Sequence, residues 1–415
     1  MQSQGIPFQD TGFFSNLIED YLDQRDDLQP FYGRFPSLNA FKAQIEEKQS
    51  NFPKEHRAVV SEVLSEQYSG LQASVKTLGH IKALQDQKTF TVVTGHQLNL
   101  FTGPLYFVYK ILSAVKLAQQ LKEAYPDCHF VPVYWMASED HDFEEINHFN
   151  FRGKEVRWNR GASGGVGRLD LEGLQAVFET FSADLGPGKR SDTLRNLFQS
   201  AYLEHSNLAS ATQYLANELF GHLGLVVLDA DDARLKRLFT PHIENDLFKN
   251  LGYTTVGKSI EKLNALPGNY RIQVSPREIN FFYLIEGLRN RLVAEGDCFS
   301  VVDSKIRFSE TELREELRDH PERFSPNVTT RPLYQEVILP NLCHIGGGGE
   351  LACWLVLKGF FEASDVAFPV LLLRNSALLM SWKQGEKLQK LNLTRGDLFL
   401  DPECLVEKRV REISQ

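Results

Sequence analysis

The stretch TFTVVTGHQLNLFTGPLYFVYK, residues 89–110, decides the fold that we predict for this chain. Its first six residues are a short β-branched run, which a glycine and a polar loop follow before Gly103-Pro104 opens a helix. Proline suits the first helical position, where its missing N–H would have no partner. Strand, glycine loop and helix make half of a parallel βαβ unit. Four apolar residues at helical spacing predict the buried face of the helix: Leu105, Val108, Leu112 and Val115.

Three further apolar runs predict strands of the same sheet, at 130–137, 223–228 and 366–373. We expect a helix from about Asp232 and another that starts near Glu350. Near-continuous apolar strands that alternate with helices are typical of a parallel sheet covered on both faces. The sequence therefore predicts an α/β protein with a Rossmann-like core.

Two stretches interrupt this alternation. Residues 151–200 contain GASGGVG (161–167) and are interpreted as a turn-rich insertion. Residues 270–308 predict short strands with hairpin turns at Glu286-Gly287 and Glu295-Gly296. Before the core, apolar residues at helical spacing predict helices: Phe13, Leu17, Tyr21, Val60, Val63, Leu64, Tyr68, Leu71 and Val75. The predicted segments are a helical start (1–85), core (86–150), insertion (151–200), core (201–260), β-rich insertion (261–325), core (326–380) and a C-terminal helical segment (381–415).

Composition excludes several classes of protein. Lys and Arg number 45 against 54 Asp and Glu, a net charge of −9, which argues against a general nucleic-acid or anionic-membrane surface. With 42% hydrophobic residues the chain can bury a core, so disorder is excluded. We find no signal peptide and no apolar run of about 18 residues that could span a membrane. Five scattered cysteines indicate free thiols and predict a cytoplasmic protein.

The loop after the first strand is the first candidate binding site. Ligands of open α/β sheets bind at the carboxyl ends of the strands, and the N-terminus of a helix favours phosphate or carboxylate. The loop matches no known nucleotide fingerprint, so a purely structural loop is the alternative. The candidate binding residues are Thr94, Gly95, His96, Gln97, Thr102, Gly103 and Lys110.

Acidic residues crowd around His141 in SEDHDFEEINH, residues 138–148, directly after the second predicted strand. Charges this dense are costly unless a cation, a proton or a basic group compensates them. We consider three interpretations: general base chemistry by His141 with Asp140 or Asp142 orienting it, a metal site that could include His148, or a solvated helix start. Glu139 is a candidate binding residue here.

Two later segments add candidate binding residues. Arg331 stands beside a proline in SPNVTTRPLYQ (325–335), which suits bidentate capture of an anion, with a structural salt bridge as the alternative. Four consecutive glycines in HIGGGGELA (344–352) cost backbone entropy and predict close approach to a ligand, with a hinge as the alternative. The candidates are Arg331, Gln335, Gly346, Gly347, Gly348, Gly349, Glu350 and Arg374, the last of which ends a predicted strand.

These segments together resemble the BshC family of bacillithiol-biosynthesis enzymes, described as cysteine ligases. The resemblance rests on TGHQLNLFTGPLYFVYK (94–110), PVYWMASEDHDFEEINH (132–148), SPNVTTRPLYQEVILP (325–340) and GGGGELACWLVLK (346–358). IPFQDTGFF (6–14) and GLVVLDADD (224–232) also fit, so the likeness covers essentially the whole chain. Family members often have Gln at the position of His96 and Pro within the glycine run.

The resemblance implies a Rossmann-like core with inserted connecting-peptide elements, as in class I aminoacyl-tRNA synthetases and nucleotidylyltransferases. It implies addition of L-cysteine to glucosaminyl-malate to give bacillithiol. It also implies that residues 381–415 begin a helical coiled coil, and a homodimer if that helix is complete.

Amide formation requires an activated carboxylate, so ATP with Mg²⁺ is the expected energy source. We assign the loop at 94–103 and the glycines 346–349 to phosphate or carboxylate groups, and Arg331 and Arg374 to anionic groups. His141 with Asp140 or Asp142 would position or deprotonate the amine. The alternatives are a nucleotidylyltransferase-like enzyme on another small substrate, a non-catalytic partner that binds through the C-terminal helix, and a metal hydrolase.

Overall fold

The computed structural model describes residues 4–272 and 274–413. Parts of three predicted segments lie outside these residues: the first three residues of 1–85, Gln273 within 261–325, and the last two of 381–415.

The described residues contain twelve strands: β1 Thr89–His96, β2 His129–Met136, β3 His148–Phe151, β4 Lys154–Arg157, β5 Val226–Asp229, β6 Phe281–Ile285, β7 Leu288–Glu295, β8 Cys298–Val301, β9 Arg307–Ser309, β10 Phe324–Pro326, β11 Asn341–Gly346 and β12 Val370–Leu373. The same residues contain seventeen α-helices: α1 Asn16–Leu22, α2 Leu38–Asn51, α3 Lys54–Gln67, α4 Val75–Ala83, α5 Tyr106–Ala124, α6 Phe143–Ile146, α7 Leu174–Leu185, α8 Lys189–Leu203, α9 Leu208–Phe220, α10 Ala233–Lys249, α11 Leu251–Asn264, α12 Glu310–Asp319, α13 Arg331–Ile338, α14 Gly348–Leu355, α15 Lys358–Ala363, α16 Trp382–Lys390 and α17 Pro402–Ile413.

The core is a five-stranded sheet in the order β12-β11-β1-β2-β5, and all four pairings are parallel. Its central strand β1 is buried along its whole length, as a strand covered by helices on both faces must be. The prediction of a parallel α/β sheet is therefore confirmed. Because the strands are parallel, their carboxyl ends all lie at one edge.

The sheet contains one strand that the sequence analysis did not predict. β11 lies between β1 and β12, and all six of its residues are buried. Its sequence, NLCHIG, looks polar because Asn341 and His344 interrupt the apolar run. Both side chains have hydrogen-bond partners, since Asn341 bonds Glu336 and His344 bonds Glu350. The neighbouring strand β12 is also shorter than the predicted range 366–373.

The predicted buried face of the helix after β1 was wrong at two positions. The helix begins at Tyr106 rather than at Pro104, and Leu105 and Leu112 are 49% and 40% exposed. The buried face instead contains Phe107, Lys110 and Ile111. Lys110 can be buried because its ammonium group donates to the carbonyl of Gly95 at 2.7 Å and to Glu350. An apolar-only pattern cannot find such a face.

The predicted β-rich insertion contains a second, antiparallel sheet in the order β10-β6-β7-β8-β9. The first hairpin turns where predicted, at Glu286-Gly287 between β6 and β7. The second turns one residue later than predicted, at Gly296-Asp297 between β7 and β8, because Glu295 still pairs within β7. Gly287 and Gly296 have φ values of 68° and 64°, the left-handed region that favours glycine.

The stretch at 151–200 is less turn-rich than predicted. β3 and β4 form a hairpin at its start, and α7 and α8 occupy most of its second half. The irregular part is the glycine-rich loop 159–173. The helices pack through Val177, Phe181 and Phe198, whose helical spacing was readable in the sequence.

Helices α1 to α4 precede the core, and Leu17 and Tyr21 are buried as expected from their spacing. The Tyr21 hydroxyl donates to the carbonyl of Leu371 at 2.7 Å, which fastens α1 to β12. Phe13 and Val75, placed in the same stripes, are in contrast exposed.

At the other end of the chain, α16 and α17 are separate helices with the 3₁₀ turn Gly396–Phe399 between them. The described part of the chain thus shows two short helices there, and a coiled coil is not shown. No helix within the described residues combines the length and the apolar character needed to cross a membrane.

Candidate functional site

The carboxyl edge of the parallel sheet gathers most of the predicted site residues. His96 ends β1, the acidic segment follows β2, Gly346 ends β11 and Arg374 follows β12. In-register pairing brings these ends together, since His96 pairs with Met136 and Gly346 with Leu373. This edge is where open α/β sheets bind ligands.

Four side chains, Lys110, Arg331, His344 and Glu350, form what we call the Glu350 cluster. Lys110 Nζ lies 2.6 Å from Glu350 Oε2, and His344 Nε2 lies 2.9 Å from Glu350 Oε1. Burial alone would raise the pKa of Glu350, but Lys110 and His344 outweigh it and hold the pKa below its usual range. Burial lowers the pKa of His344 to about 4, so its ring is neutral near pH 7. The ring stacks on Trp354 at 4.2 Å.

Arg331 lies between two tryptophans and faces Gly95. Its guanidinium carbon is 5.7 Å from the ring centre of Trp135 and 5.9 Å from that of Trp354. Its Nη1 donates to Gln335 at 3.2 Å. A Cβ on Gly95 would lie 3.6 Å from that Nη1 and 3.9 Å from Glu350 Oε1, so glycine leaves the space in front of the arginine open.

Three polar atoms around Tyr106 have no hydrogen-bond partner among the described residues: His96 Nε2, Tyr109 Oη and Arg374 Nε. The rings of His96 and Tyr106 are 5.4 Å apart, and the Arg374 guanidinium carbon lies 5.0 Å from the Tyr106 ring centre. Burial lowers the pKa of His96 to about 4, and its Nδ1 is bonded to the carbonyl of Gln97. Buried polar atoms of this kind normally have a partner, so a polar ligand group would satisfy them.

The glycine run has packing roles that differ along its length. Gly346 belongs to β11, and a Cβ there would meet Glu350 and Leu351 at 3.1 Å. A Cβ on Gly347 would lie 3.7 Å from Arg374 Nε, and one on Gly348 would lie 3.2 Å from Phe14. Gly348 and Gly349 lie in the first turn of α14. Glycine here permits close packing, and it keeps the backbone beside Arg374 accessible.

Other predicted binding residues support the loop. The Thr94 hydroxyl donates to the carbonyl of Ile345 at 2.8 Å and is fully buried. Thr102 has a φ of 73° and follows Phe101, which packs on Phe181 and Phe198. A Cβ on Gly103 would overlap Asn99 at 2.5 Å. Thr94 and Gly103 thus have structural roles in the loop.

Three carboxylates of the acidic segment, those of Glu139, Asp140 and Glu145, have side-chain partners. Glu139 forms an ion pair with Lys236, which is fully buried and also donates to the carbonyl of Phe324 at 2.8 Å. Gln97 donates to Asp140 at 3.1 Å and to Glu145 at 2.7 Å. Burial raises the pKa of Glu139 in spite of Lys236. Asp142 is different, because its side chain is 57% exposed and one of its oxygens lies 3.9 Å from His141 Nε2.

His141 is held by a residue of the second sheet. Nη1 of Arg289, in β7, lies 2.5 Å from Nδ1 of His141. His148 lies on β3 instead, beside Asn147 and 3.9 Å from Glu155. In residues 4–272 and 274–413, no three His, Cys, Asp or Glu side chains are arranged to hold a metal ion. The metal interpretation of this segment thus has no support from the geometry.

A cavity of about 490 Å³ lies between the glycine-rich loop and the β6–β7 turn. Arg160 and Arg168 line it. The loop is bonded to the acidic segment, since Val166 N donates to the carbonyl of Asp140 and Gly167 N to that of Ser138, both at 2.7 Å. The volume suits a small-molecule substrate.

Sequence reasoning missed four residues of this site. His344 begins the segment HIGGGGELA (344–352), and the adjacent glycine run was its only signal in the sequence. Asp229, which ends β5, accepts a hydrogen bond from Ser138, and burial raises its pKa to about 6. Lys236 and Arg289 carried no local signal, because α10 and β7 bring them to the site only in the folded chain.

Comparison with known proteins adds a finding that covers the whole site. Residues 1–375 match the family model described as "Bacillithiol biosynthesis BshC, N-terminal Rossmann-like domain". A Flavobacterium johnsoniae protein is 51% identical over 414 residues, which cover 100% of this chain and 78% of that protein. A Christiangramia forsetii protein is 50% identical, with 100% and 77% covered, and a Bacillus cereus protein 30% identical, with 93% and 73% covered. All three carry the name "Putative cysteine ligase BshC".

Proposed function

The chain belongs to the BshC family of bacillithiol biosynthesis, and from this premise we propose that it is a ligase that joins L-cysteine to the amine of glucosaminyl-malate. The reaction forms a carbon–nitrogen amide bond and gives bacillithiol. One observation carries the proposal, namely that the carboxyl edge of the sheet has a cationic side and an acidic side. An anionic substrate that also bears an amine fits such a site.

The cationic side holds the anionic part of the substrate. Lys110, Arg331 and Arg374 supply three positive charges, and Glu350 is the carboxylate that faces them. A guanidinium is a planar fork that matches a carboxylate or a phosphate in a bidentate contact. Arg374 Nε and Tyr109 Oη are buried without a partner in the described chain, which leaves them for the ligand. Malate carries two carboxylates and suits this side.

The acidic side receives the amine. Asp140, His141 and Asp142 follow β2, and the carbonyl of Asp140 accepts a hydrogen bond from the glycine-rich loop. Near neutral pH a large fraction of a sugar amine is protonated, and the ammonium form must lose a proton before the nitrogen can attack. Carboxylates bind the ammonium form, and Asp142 is exposed enough to accept its proton.

ATP with Mg²⁺ is proposed as the energy source, because a free carboxylate does not acylate an amine in water. The loop after β1 and the glycine turn at the start of α14 would lie against its phosphates. Mg²⁺ is commonly bound by one or two carboxylates plus substrate phosphates. The described residues offer no three-ligand cluster, so such a cation fits this edge only in company with phosphate oxygens.

A homodimer and a cytoplasmic setting are further parts of the proposal. Apolar side chains are exposed along the C-terminal segment and in the two residues Leu378 and Leu379 just before it; those of the segment include Trp382, Val406 and Val410. All five cysteines are free, as expected for an enzyme that handles a thiol in a reducing compartment. Light scattering that gives the mass of a single chain would contradict the dimer.

The purified chain should convert L-cysteine and glucosaminyl-malate to a product of bacillithiol mass, and ATP-Mg²⁺ should be required. Omitting cysteine should stop all turnover. Pyrophosphate release without cysteine would instead indicate a nucleotidylyltransferase-like reaction.

Arg331→Met should lower kcat/KM about 100-fold, the scale of one lost charge-assisted contact, while the exposed Arg318→Met should not. Absence of product in every combination of ligands, with the chain folded, would overturn the proposal.

A further inference from the structure

Arg289 reaches His141 from another layer of the molecule. It lies on β7 of the antiparallel sheet, whereas His141 follows β2 of the parallel sheet. Nη1 of the arginine is 2.5 Å from Nδ1 of the histidine. Both side chains pack on Phe282, at 4.0 Å for the guanidinium carbon and 5.4 Å for the imidazole ring.

The guanidinium is held in place independently of His141. Its Nε donates to the hydroxyl of Ser325 at 3.0 Å, and its Nη2 donates to the carbonyl of Pro326 at 3.2 Å. The arginine is 8% exposed. Three contacts besides the histidine thus fix where Nη1 points, so the donor is in position before any substrate binds.

This contact constrains the proton on the imidazole. A guanidinium has five N–H donors and no acceptor, so a hydrogen bond to Nδ1 requires a lone pair on that nitrogen. In a neutral imidazole one nitrogen is a donor and the other an acceptor, so the proton is then on Nε2. Protonating Nδ1 would set two donors and two positive charges against each other.

We infer that Arg289 is a positioning residue that fixes His141 as the Nε2–H tautomer, so that His141 donates a hydrogen bond to the substrate instead of taking a proton from it. The inference rests on the proposed function and sharpens it. The acceptor is the oxygen of the activated cysteine carbonyl, where negative charge develops when the amine attacks.

The step balances with a carboxylate as the base. The amine nitrogen forms the C–N bond, the C–O bond to the phosphate leaving group breaks with its electron pair, and the amine proton goes to Asp142. The charged groups that face His141 are Arg289 from β7, Asp142 at 3.9 Å from Nε2, and Asp140 at 3.8 Å from Nδ1. Burial lowers the pKa of Arg289, and the negative charge of Glu139, in the same loop as His141, opposes this lowering.

Nitrogen NMR of the full chain with ¹⁵N-labelled histidine tests the tautomer without any activity. The His141 signals are those that disappear in His141→Gln. We expect an unprotonated Nδ1 and a protonated Nε2 at pH 7, unchanged in Arg291→Met, which alters an exposed residue of the same strand. Arg289→Lys and Arg289→Met should give a mixture of the two tautomers. A protonated Nδ1 in the unaltered chain, or His141 signals in both Arg289 variants that match those of the unaltered chain, would overturn the inference.

Kinetics separate a donor from a base, because a glutamine side chain can donate an N–H but cannot take up a proton. His141→Gln should keep at least about tenfold more kcat/KM than His141→Ala, the scale expected for a restored oxyanion donor. Equal losses in the two variants would mean that His141 is the base. If no preparation makes product, the proposed function fails, whereas the NMR result still decides the tautomer.

Discussion

Glu350 and His344 determine how the cationic side responds to acid. The two side chains share a hydrogen bond of 2.9 Å, and Gln335 Nε2 lies 3.4 Å from the other ring nitrogen of His344. The fold thus accommodates a neutral imidazole, and burial lowers the pKa of His344 to about 4. An unfolded histidine titrates near pH 6.5.

Acid should therefore destabilise the protein in part through His344. Between pH 6.5 and about 4 the unfolded chain binds a proton that the folded chain excludes, so stability is complete above pH 6.5 and falls as the pH drops. Urea unfolding at pH 7 and pH 4.5 measures the fall. In His344→Gln it should be smaller by about 2 kcal/mol, at about 1.4 kcal/mol per pKa unit.

The control for this prediction is His222→Gln, which changes an exposed histidine. It should reproduce the acid profile of the unaltered chain. A profile for His344→Gln that matches the unaltered chain would show that His344 does not carry a proton linkage.

Among the elements, the glycine-rich loop is the one that couples an insertion to the site. Its backbone N–H groups at Gly167 and Val166 donate to the carbonyls of Ser138 and Asp140, which directly follow β2. Gly167 lies so close to Ser138 that a Cβ there would be 2.5 Å from the Ser138 Cβ and 2.9 Å from its carbonyl oxygen. The loop therefore has to move if any side chain is added at 167.

Gly167→Ala should displace the loop from the acidic segment and lower kcat/KM, at a stability cost of about 1–3 kcal/mol, as for an overpacked core site. Gly161→Ala, in the same loop, is the matched control, because nothing lies within 4 Å of its Cβ position. Ligase assays and thermal unfolding of both variants give the comparison. Equal behaviour of the two would contradict the close contact with Ser138.

At the scale of the whole molecule, Lys236 joins three layers. It projects from α10, pairs with Glu139 after β2 of the parallel sheet, and donates to Phe324 of β10 in the antiparallel sheet. Its side chain is fully buried and lies 5.3 Å from the ring centre of Tyr334. The same junction carries Arg289 and His141.

Lys236→Met should destabilise the protein by about 3–5 kcal/mol, because removing one partner leaves the other charge buried and unpaired. Lys249→Met, at an exposed position of the same helix, should cost less than about 0.5 kcal/mol. Denaturant unfolding measures both, and the double variant Lys236→Met with Glu139→Gln should recover part of the loss. A cost for Lys236→Met no larger than that for Lys249→Met would rule out this role.

The sequence by itself determined the parallel sheet, its main strands and the two antiparallel hairpin turns. These features depend on local patterns: apolar runs of strand length, a glycine loop before a helix, and Glu-Gly pairs between short strands. It also predicted that most of the candidate site residues lie together, because residues that follow parallel strands must meet at one edge. The family resemblance, confirmed by the comparisons, came from the same segments.

Only the tertiary structure decided which partners complete the site. Strand β11 was hidden by Asn341 and His344, whose polar side chains are compatible with a core strand only because Glu336 and Glu350 pair with them. Lys110 and Glu350 are 240 residues apart in the chain, and Arg289 and His141 are 148 apart. Ion pairs and tautomers at such separations have no local signature, since the chain has to fold before the two groups interact.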